Sequence, residues 1–306
     1  MHWQSDIIAA RARIAPYVRR TPVMDLSVDE LTHPVALKLE QTQHTGSFKV
    51  RGAFNTLLSR DVPKAGVVAA SGGNHGAAVA YAARALGHKA RIYVPEIAGP
   101  AKIALIERTG ADLVVVEGAY ANAFEAAESY EADTGAMQIH AYDAEATVAG
   151  QGALMAEWED QGLDADTVLI AVGGGGLIAG ALAWLQGGRK VVAVESKGCP
   201  TLHAARAAGA PVDIAPTGIA ANALGARRIG EICFALSQAQ DVQTLLVDDD
   251  HIAAAQTHLW RQARQLVEPA GAAALAALTS GAYRPAPDER VAVLICGGNI
   301  APDPIA

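Results

Sequence analysis

The chain has 306 residues, 51% of them hydrophobic and 18% charged, with a formal charge of −8. That length and apolar content supply a core for one large α/β domain or two compact ones and exclude intrinsic disorder. The acidic balance leaves no basic footprint for nucleic acid, and no apolar run is long enough to span a membrane.

In chain order, residues 1–20 are amphipathic without the continuous apolar stretch of a signal peptide, so a cytoplasmic location is expected. Short apolar runs then predict strands over 35–39, 66–70, 90–94, 112–116, 137–141, 167–172, 190–195, 244–247 and 291–296. Ala-rich segments with helical spacing lie between them, among others over 74–86, 100–109 and 144–160. Gly87 and Gly110 follow two of these, where a left-handed residue closes a helix. Near-continuous apolar strands alternating with helices are the pattern of parallel sheets covered on both faces, so the fold class is α/β. No long linker appears, and any domain boundary is therefore a chain crossover. Cys199, Cys233 and Cys296 are scattered and odd in number, which fits a reducing compartment better than a disulfide framework. Arg19-Arg20 and Arg227-Arg228 read as solvated helix faces.

Three glycine-rich turns directly follow strands: Ser71-Gly72-Gly73-Asn74, Gly173-Gly174-Gly175-Gly176 and Cys296-Gly297-Gly298-Asn299. Loops at the carboxyl ends of parallel strands are where α/β proteins bind ligands, so the three point to one shared site. In the second turn, consecutive glycines bare backbone N–H groups ahead of a helix start, a cradle for phosphate. A bulky side chain at Gly175 is expected to block that approach. The spacing Gly174-x-Gly176-x-x-Ala179 also satisfies the dinucleotide fingerprint, and Glu195 ends the next strand where a ribose-binding acid would stand. A nicotinamide- or flavin-dependent oxidoreductase is thus a rival on this motif, although it leaves the other two loops unexplained.

Lys49 follows Gly46-Ser47 at a helix start, between Phe48 and Val50. The dipole near a helix N-terminus disfavours an ammonium and so helps an amine stay neutral and nucleophilic, as a Schiff-base lysine requires. Read alone, Lys49 fits an ordinary exposed surface position better than a Schiff-base one, as expected for the other six of the seven lysines.

Four segments occur together: Ser47-Phe48-Lys49-x-Arg51-Gly52-Ala53, Ser71-Gly72-Gly73-Asn74-His75-Gly76, Gly173 to Gly176, and Cys296-Gly297-Gly298-Asn299. In order and spacing, over about residues 5–300, they resemble the threonine/serine dehydratase and serine racemase family of fold type II pyridoxal-phosphate (PLP) enzymes. The resemblance implies two α/β domains with mostly parallel sheets: a large one of residues 1–46 plus 144–306 and a small inserted one of residues 47–143. Pyridoxal 5′-phosphate would lie between them. It implies a lyase that converts a small β-hydroxy amino acid, L-threonine or L-serine first, to a 2-oxo acid and ammonia. Lys49 would carry the cofactor as a Schiff base and serve as the catalytic base, with Phe48 beside the ring. Asn74 would bond the 3-hydroxyl, Gly173, Gly174, Gly175, Gly176 and Leu177 would hold the phosphate through backbone amides, and Cys296 would face the pyridine nitrogen. Glu268 matches a family glutamate close to the cofactor, and Ser71, Gly72, Gly73, Asn74 and His75 would form the loop on the substrate carboxylate. The implied partners are a small amino acid and further copies of the chain, as a homodimer or larger homo-oligomer. Without the resemblance, His75 reads as a polar residue at a helix N-terminus, Cys296 as a buried apolar filler and Glu268 as a first-turn helix acid.

A thiol facing the pyridine nitrogen makes a weaker electron sink than a carboxylate would, which favours prompt β-elimination over transamination. Several positions depart from the family. Gly72 stands where racemases carry a serine opposite the lysine, so dehydration is expected over racemisation, with an amino-acid racemase as the alternative. Cation-binding members place an acid six residues after a glutamate; here Glu195 is followed by Thr201, which leaves Glu195 open between metal ligand and capped strand end. Asn222 replaces an aspartate, and the usual Gly-Gln-Gly-Thr reads Gly150-Gln151-Gly152-Ala153. A hydroxyaspartate or a hydroxyectoine-catabolic intermediate is accordingly the alternative substrate. The chain ends soon after its last motif, so feedback by isoleucine through an appended domain is not expected.

Overall fold

The structure is a computed structural model, and it describes residues 2–29, 31–118 and 120–300. The chain opens with α1 (Trp3–Ile14), β1 (Val23–Leu26) and β2 (Val35–Leu39), followed by α2 (Lys49–Leu58), β3 (Val67–Ala70) and α3 (Asn74–Ala85). β4 (Ala90–Pro95), α4 (Pro100–Glu107), β5 (Asp112–Val116), α5 (Tyr120–Thr134) and β6 (Met137–Gln138) come next. They lead into α6 (Glu145–Glu159), β7 (Thr167–Ala171), α7 (Gly176–Leu185), β8 (Lys190–Ser196), α8 (Thr201–Ala208) and α9 (Ala221–Leu224). The last elements are α10 (Glu231–Ala239), β9 (Val242–Val247), α11 (Asp249–Ala263), α12 (Pro269–Thr279) and β10 (Val291–Ile295). Among the described residues no helix is long and apolar enough to cross a membrane.

The strands form a six-stranded sheet in the order β1-β2-β10-β7-β8-β9 and a four-stranded sheet in the order β5-β4-β3-β6. Among the described residues every strand pairing is parallel except β1 with β2. β3, β7 and β10 are buried along their whole length, which is why they read as unbroken apolar runs. Sequence analysis missed β1: it is a short edge strand with only Leu26 buried, so it carries no apolar run to find. It also extended β6 to residue 141, whereas the strand stops at Gln138. Beyond it the carbonyls of Ile139 and Ala141 serve His75 and Lys49.

Both sheets reverse their strand order next to a glycine turn. In the four-stranded sheet the chain runs from β3 outward to β5 and returns to the other side of β3 as β6. In the six-stranded sheet it runs from β7 outward to β9 and returns to the other side of β7 as β10. Such switch points leave a crevice at the carboxyl ends of the strands, because the connecting helices leave in opposite directions. Ser71 to Asn74 and residues 139–141 edge one crevice; Gly173 to Gly176 and Cys296 to Asn299 edge the other.

Helix α2 sits where the two layers meet. Val50, Ala53, Phe54 and Leu57 pack with Ala77, Val79 and Ile92 of the four-stranded layer. The opposite face meets α6 so closely that a Cβ on Gly150 would lie 2.7 Å from the Arg51 carbonyl oxygen and from Gly52 Cα. Arg51 on that face is buried, with Nε and Nη2 on the Glu40 carboxylate, both at 2.8 Å, and Nη1 and Nη2 on Glu157, both at 3.0 Å. Lys38 Nζ also reaches Glu157, at 2.6 Å, and donates to the Thr21 carbonyl. Lys38 is thus a fully buried network member and not the solvated surface lysine that local sequence suggests; its place on a central strand decides this. Burial pushes Lys38 below the ordinary lysine range, with Glu157 opposing. Burial also works against the charge on Glu157, but Arg51 and Lys38 outweigh it and hold that carboxyl below the usual carboxylate range.

Removing one member of a buried ionic cluster strands the others without a partner, at about 3–5 kcal/mol. Glu157→Ala is therefore expected to lower the unfolding free energy by about that amount in urea titrations. Because the folded pKa of Glu157 lies below its unfolded value of 4.5, its stabilisation is present above about pH 4.5 and lost as pH falls through the folded value. The difference between wild type and Glu157→Ala should shrink in acid accordingly.

Candidate active site

The Ser47-Phe48-Lys49 segment is stitched to the end of β10. Ser47 pairs with Gly297 as an isolated antiparallel bridge, Phe48 N donates to the Cys296 carbonyl at 3.3 Å and Gly298 N to that of Gly46 at 2.9 Å. The turn before it is strained: Thr45 has φ +62 without being glycine, and Gly46 has φ +75. This pairing aims the Lys49 side chain across the cleft, where Nζ donates to the Ala141 carbonyl at 2.8 Å. Burial lowers the Lys49 amine to about 8, with Cys296 opposing, so a substantial fraction is neutral near physiological pH. Lys49 is half-buried and bonded to Ala141, and so is not a solvated surface lysine.

Asn74 joins the two layers. Its Nδ2 donates to Glu268 Oε1 at 2.6 Å and its Oδ1 accepts from Asn299 Nδ2 at 2.7 Å, while the same Nδ2 of Asn299 donates to the Thr45 carbonyl. Glu268 occupies the N-cap position of α12 ahead of Pro269, but its side chain makes no cap bond and turns to Asn74 instead. Burial raises Glu268 to about 7, with Asn74 and Lys102 opposing. His75 Nε2 lies 2.8 Å from the Ile139 carbonyl; a carbonyl only accepts, so Nε2 carries the proton. Burial first and the Lys49 charge second lower His75 to about 3, which keeps the ring neutral. Cys296 donates its thiol to the Ala270 carbonyl at 3.3 Å, and burial raises its pKa.

Ser71 Oγ accepts from Gly73 N at 3.2 Å and shapes the turn into α3, whose first-turn amides have no intrahelical acceptor. Gly72 lies beneath Ala98, and a side chain at 72 would collide with that methyl group. In the phosphate-type loop, Gly175 has φ +90 and α7 starts at Gly176, so the amides from Gly176 through Ile178 face out of the helix end. The expectation about bulk at Gly175 needs correcting. A Cβ there would lie 2.6 Å from Cys233 and 2.7 Å from Ile229 Cδ1, so a side chain would disturb packing first. Gly173, Gly174 and Leu177 lie in the same turn, with Leu177 buried in the core.

Sequence reasoning missed two residues here. Tyr142 packs on Gly174 and Gly176 and donates from its hydroxyl to the Arg228 carbonyl at 3.2 Å. Lys102 on α4 reaches Asn222 across the cleft. Nothing local marks either one, because both act through chain segments far apart in sequence. The assembled groups are a partly neutral amine, a left-handed glycine turn at a helix end, a neutral thiol and a buried hydroxyl, Ser47 Oγ, without a partner. They suit a small phosphorylated group that condenses with an amine.

Glu195 does not join the site through its side chain. One oxygen accepts from Leu202 N at 2.8 Å and from Thr201 Oγ1 at 3.2 Å, the other from His203 N at 2.8 Å. Glu195 thus caps the start of α8, with both of its oxygens engaged there. Thermal unfolding with rising magnesium is expected to show no saturable shift; a shift reversed by chelator would show that Glu195 exchanges those amides for a metal.

The family model described as "Pyridoxal-phosphate dependent enzyme" matches residues 14–297. The chain is 36% identical to a phenylserine dehydratase of Ralstonia pickettii, covering 96% of this chain and 92% of that protein. It is 34% identical to an L-threonine ammonia-lyase of Thermotoga maritima, covering 96% of this chain and 75% of that protein. Its structure is similar to that of maize serine racemase with a TM-score of 0.92 at 31% identity, over 98% of this chain and 94% of that one. The chain therefore belongs to the pyridoxal-phosphate dependent enzymes, in their fold type II dehydratase and racemase branch, and pyridoxal phosphate is its cofactor.

Proposed function

We propose that this chain is a dehydratase that converts a small β-hydroxy amino acid, L-threonine or L-serine first, to a 2-oxo acid and ammonia. The observation that carries the reading is the pairing of an amine lowered to about 8 at Lys49 with a glycine at 72 lying under Ala98. We further propose that residues 47–143 form a domain inserted into one made of residues 1–46 and 144–306, consistent with the membership of the two sheets.

The residues present fit the cofactor. Lys49 would hold it covalently, Gly173 to Gly176 and Leu177 would hold its phosphate, Asn74 its hydroxyl and Cys296 its ring nitrogen, with Phe48 and Glu268 beside it. Bound there, pyridoxal phosphate supplies the electron sink that makes an amino-acid Cα proton removable. The amides around Ser71, Gly73, Asn74 and His75 would bind the substrate carboxylate at the start of α3. Freed when the substrate's amino group takes its place, the Lys49 amine would take the Cα proton and could return it to the departing β-hydroxyl, so that water leaves. The enamine released then hydrolyses to the 2-oxo acid and ammonia. His75, neutral and tied to Ile139, contributes no proton. A larger β-substituent is a second reading, supported by the 36% identity to a phenylserine dehydratase. Association with further copies of the chain belongs to the same proposal.

A screen of 2-oxo acid release across L-threonine, L-serine, L-phenylserine and 3-hydroxyaspartate tests the substrate. Lys49→Ala is expected to lose both the near-visible absorbance of the bound cofactor and turnover, while keeping its far-UV circular dichroism. Turnover near the wild-type rate would sink the assignment.

Only one face of Cα has a proton-transfer group in this reading, so chiral chromatography of L-serine reactions should find pyruvate without D-serine. Gly72→Ser alone should remain a poor racemase, because the new Cβ must first displace Ala98. Abundant D-serine from the wild type would move the assignment to a racemase.

A further inference from the structure

One cation at the cleft has no role in the chemistry above. Lys102 lies in the first turn of α4, and its half-buried side chain crosses to the other layer, where Nζ donates to the Asn222 carbonyl of α9 at 2.8 Å. A Cβ placed on Gly73 would lie 3.8 Å from Lys102 Nζ and 3.7 Å from that carbonyl oxygen. The ammonium therefore stands beside the turn that opens α3. Its charge partner is Glu268, whose carboxylate is already engaged by Asn74.

We propose that Lys102 is a substrate-binding residue whose ammonium pairs with a carboxylate of the bound amino acid, the Asn222 carbonyl being its resting partner. The inference rests on the proposed reading of the cleft as an amino-acid site. Three physical points support it. A desolvated ammonium with a neutral carbonyl as its hydrogen-bond partner is poorly compensated, and a carboxylate would supply the missing charge. A charge-assisted bond to a carboxylate is roughly twice as strong as one to a neutral acceptor, so the exchange is favourable. Gly73 beside Lys102 has no side chain, which leaves the ammonium accessible from the start of α3. Burial lowers Lys102 below the ordinary lysine range with Glu268 opposing, and a carboxylate bound beside it would favour its charged form.

The carboxylate has two sources: the α-carboxylate of any amino acid, or the second carboxylate of an acidic substrate such as 3-hydroxyaspartate. The test uses the holoenzyme and Lys102→Gln, which removes the charge, keeps an N–H donor and shortens the side chain by one atom. L-Threonine and 3-hydroxyaspartate are titrated against the near-visible absorbance of the bound cofactor, and kcat and KM are measured for each. Lys102→Gln is expected to keep the resting absorbance and to raise the half-saturating concentration and KM on the order of tenfold or more, with a smaller change in kcat. Lys102→Arg should recover most of that loss. An equal loss on both amino acids supports pairing with the α-carboxylate; a loss confined to 3-hydroxyaspartate supports pairing with the second carboxylate. Unchanged half-saturation on both, with the resting absorbance intact, overturns the proposal. Should Lys102→Gln not fold, Lys102→Met carries the same comparison. A wild type without cofactor absorbance, or with it but without turnover on any β-hydroxy amino acid, overturns the reading of the cleft before any variant is made.

Discussion

The guanidinium of Arg51, buried between the carboxylates of Glu40 and Glu157, holds the molecule's two layers in register. Arg51 lies on the same helix as Lys49, two residues on, so whatever anchors it also anchors the amine. Its partners come from the segment after β2 and from α6, both belonging to the six-stranded layer. The other face of the helix packs on the four-stranded layer. A buried ionic cluster is weak evidence for stability compared with a well-packed apolar core of the same volume. Its directionality is what matters here: the bidentate fork on Glu40 accepts one orientation of α2 and resists rotation about the helix axis.

Given that anchor, the cleft follows from topology. Each sheet reverses its strand order once beside a glycine turn, and the two reversals face a common space lined from both sides. Polar joints across it include Asn74 with Glu268 and Asn299, and Lys102 with Asn222. Polar joints of this kind can be exchanged for ligand contacts at small net loss, since each bond broken can be replaced by another. Apolar packing between the same surfaces would have to be exposed to water before a ligand could bind.

The electrostatics of the cleft come from burial more than from charge pairing. Desolvation brings the Lys49 amine down to about 8 and the Glu268 carboxyl up to about 7. The same burial holds His75 and Cys296 in neutral forms, so they orient without carrying charge.

Much of this was legible in the sequence because it is local. Apolar runs with strand length, glycines directly after them and Ala-rich helical spacing determined the α/β class, all the buried strands and the three loops. The order of four short motifs determined the family, since together they constrain most of the chain. What is not local was decided by the tertiary structure alone. The isolated antiparallel bridge between Ser47 and Gly297, the burial of Lys38, the turn of Glu195 back onto α8 and of Glu268 away from α12, and the reach of Lys102 to Asn222 all join residues distant in sequence or reverse a local preference. A polar side chain carries the same local signal whether it ends in water, on a helix end or in a catalytic cleft. Only the packing of the two layers settles how much water it loses and which partner replaces it, and those two quantities set its pKa and its use.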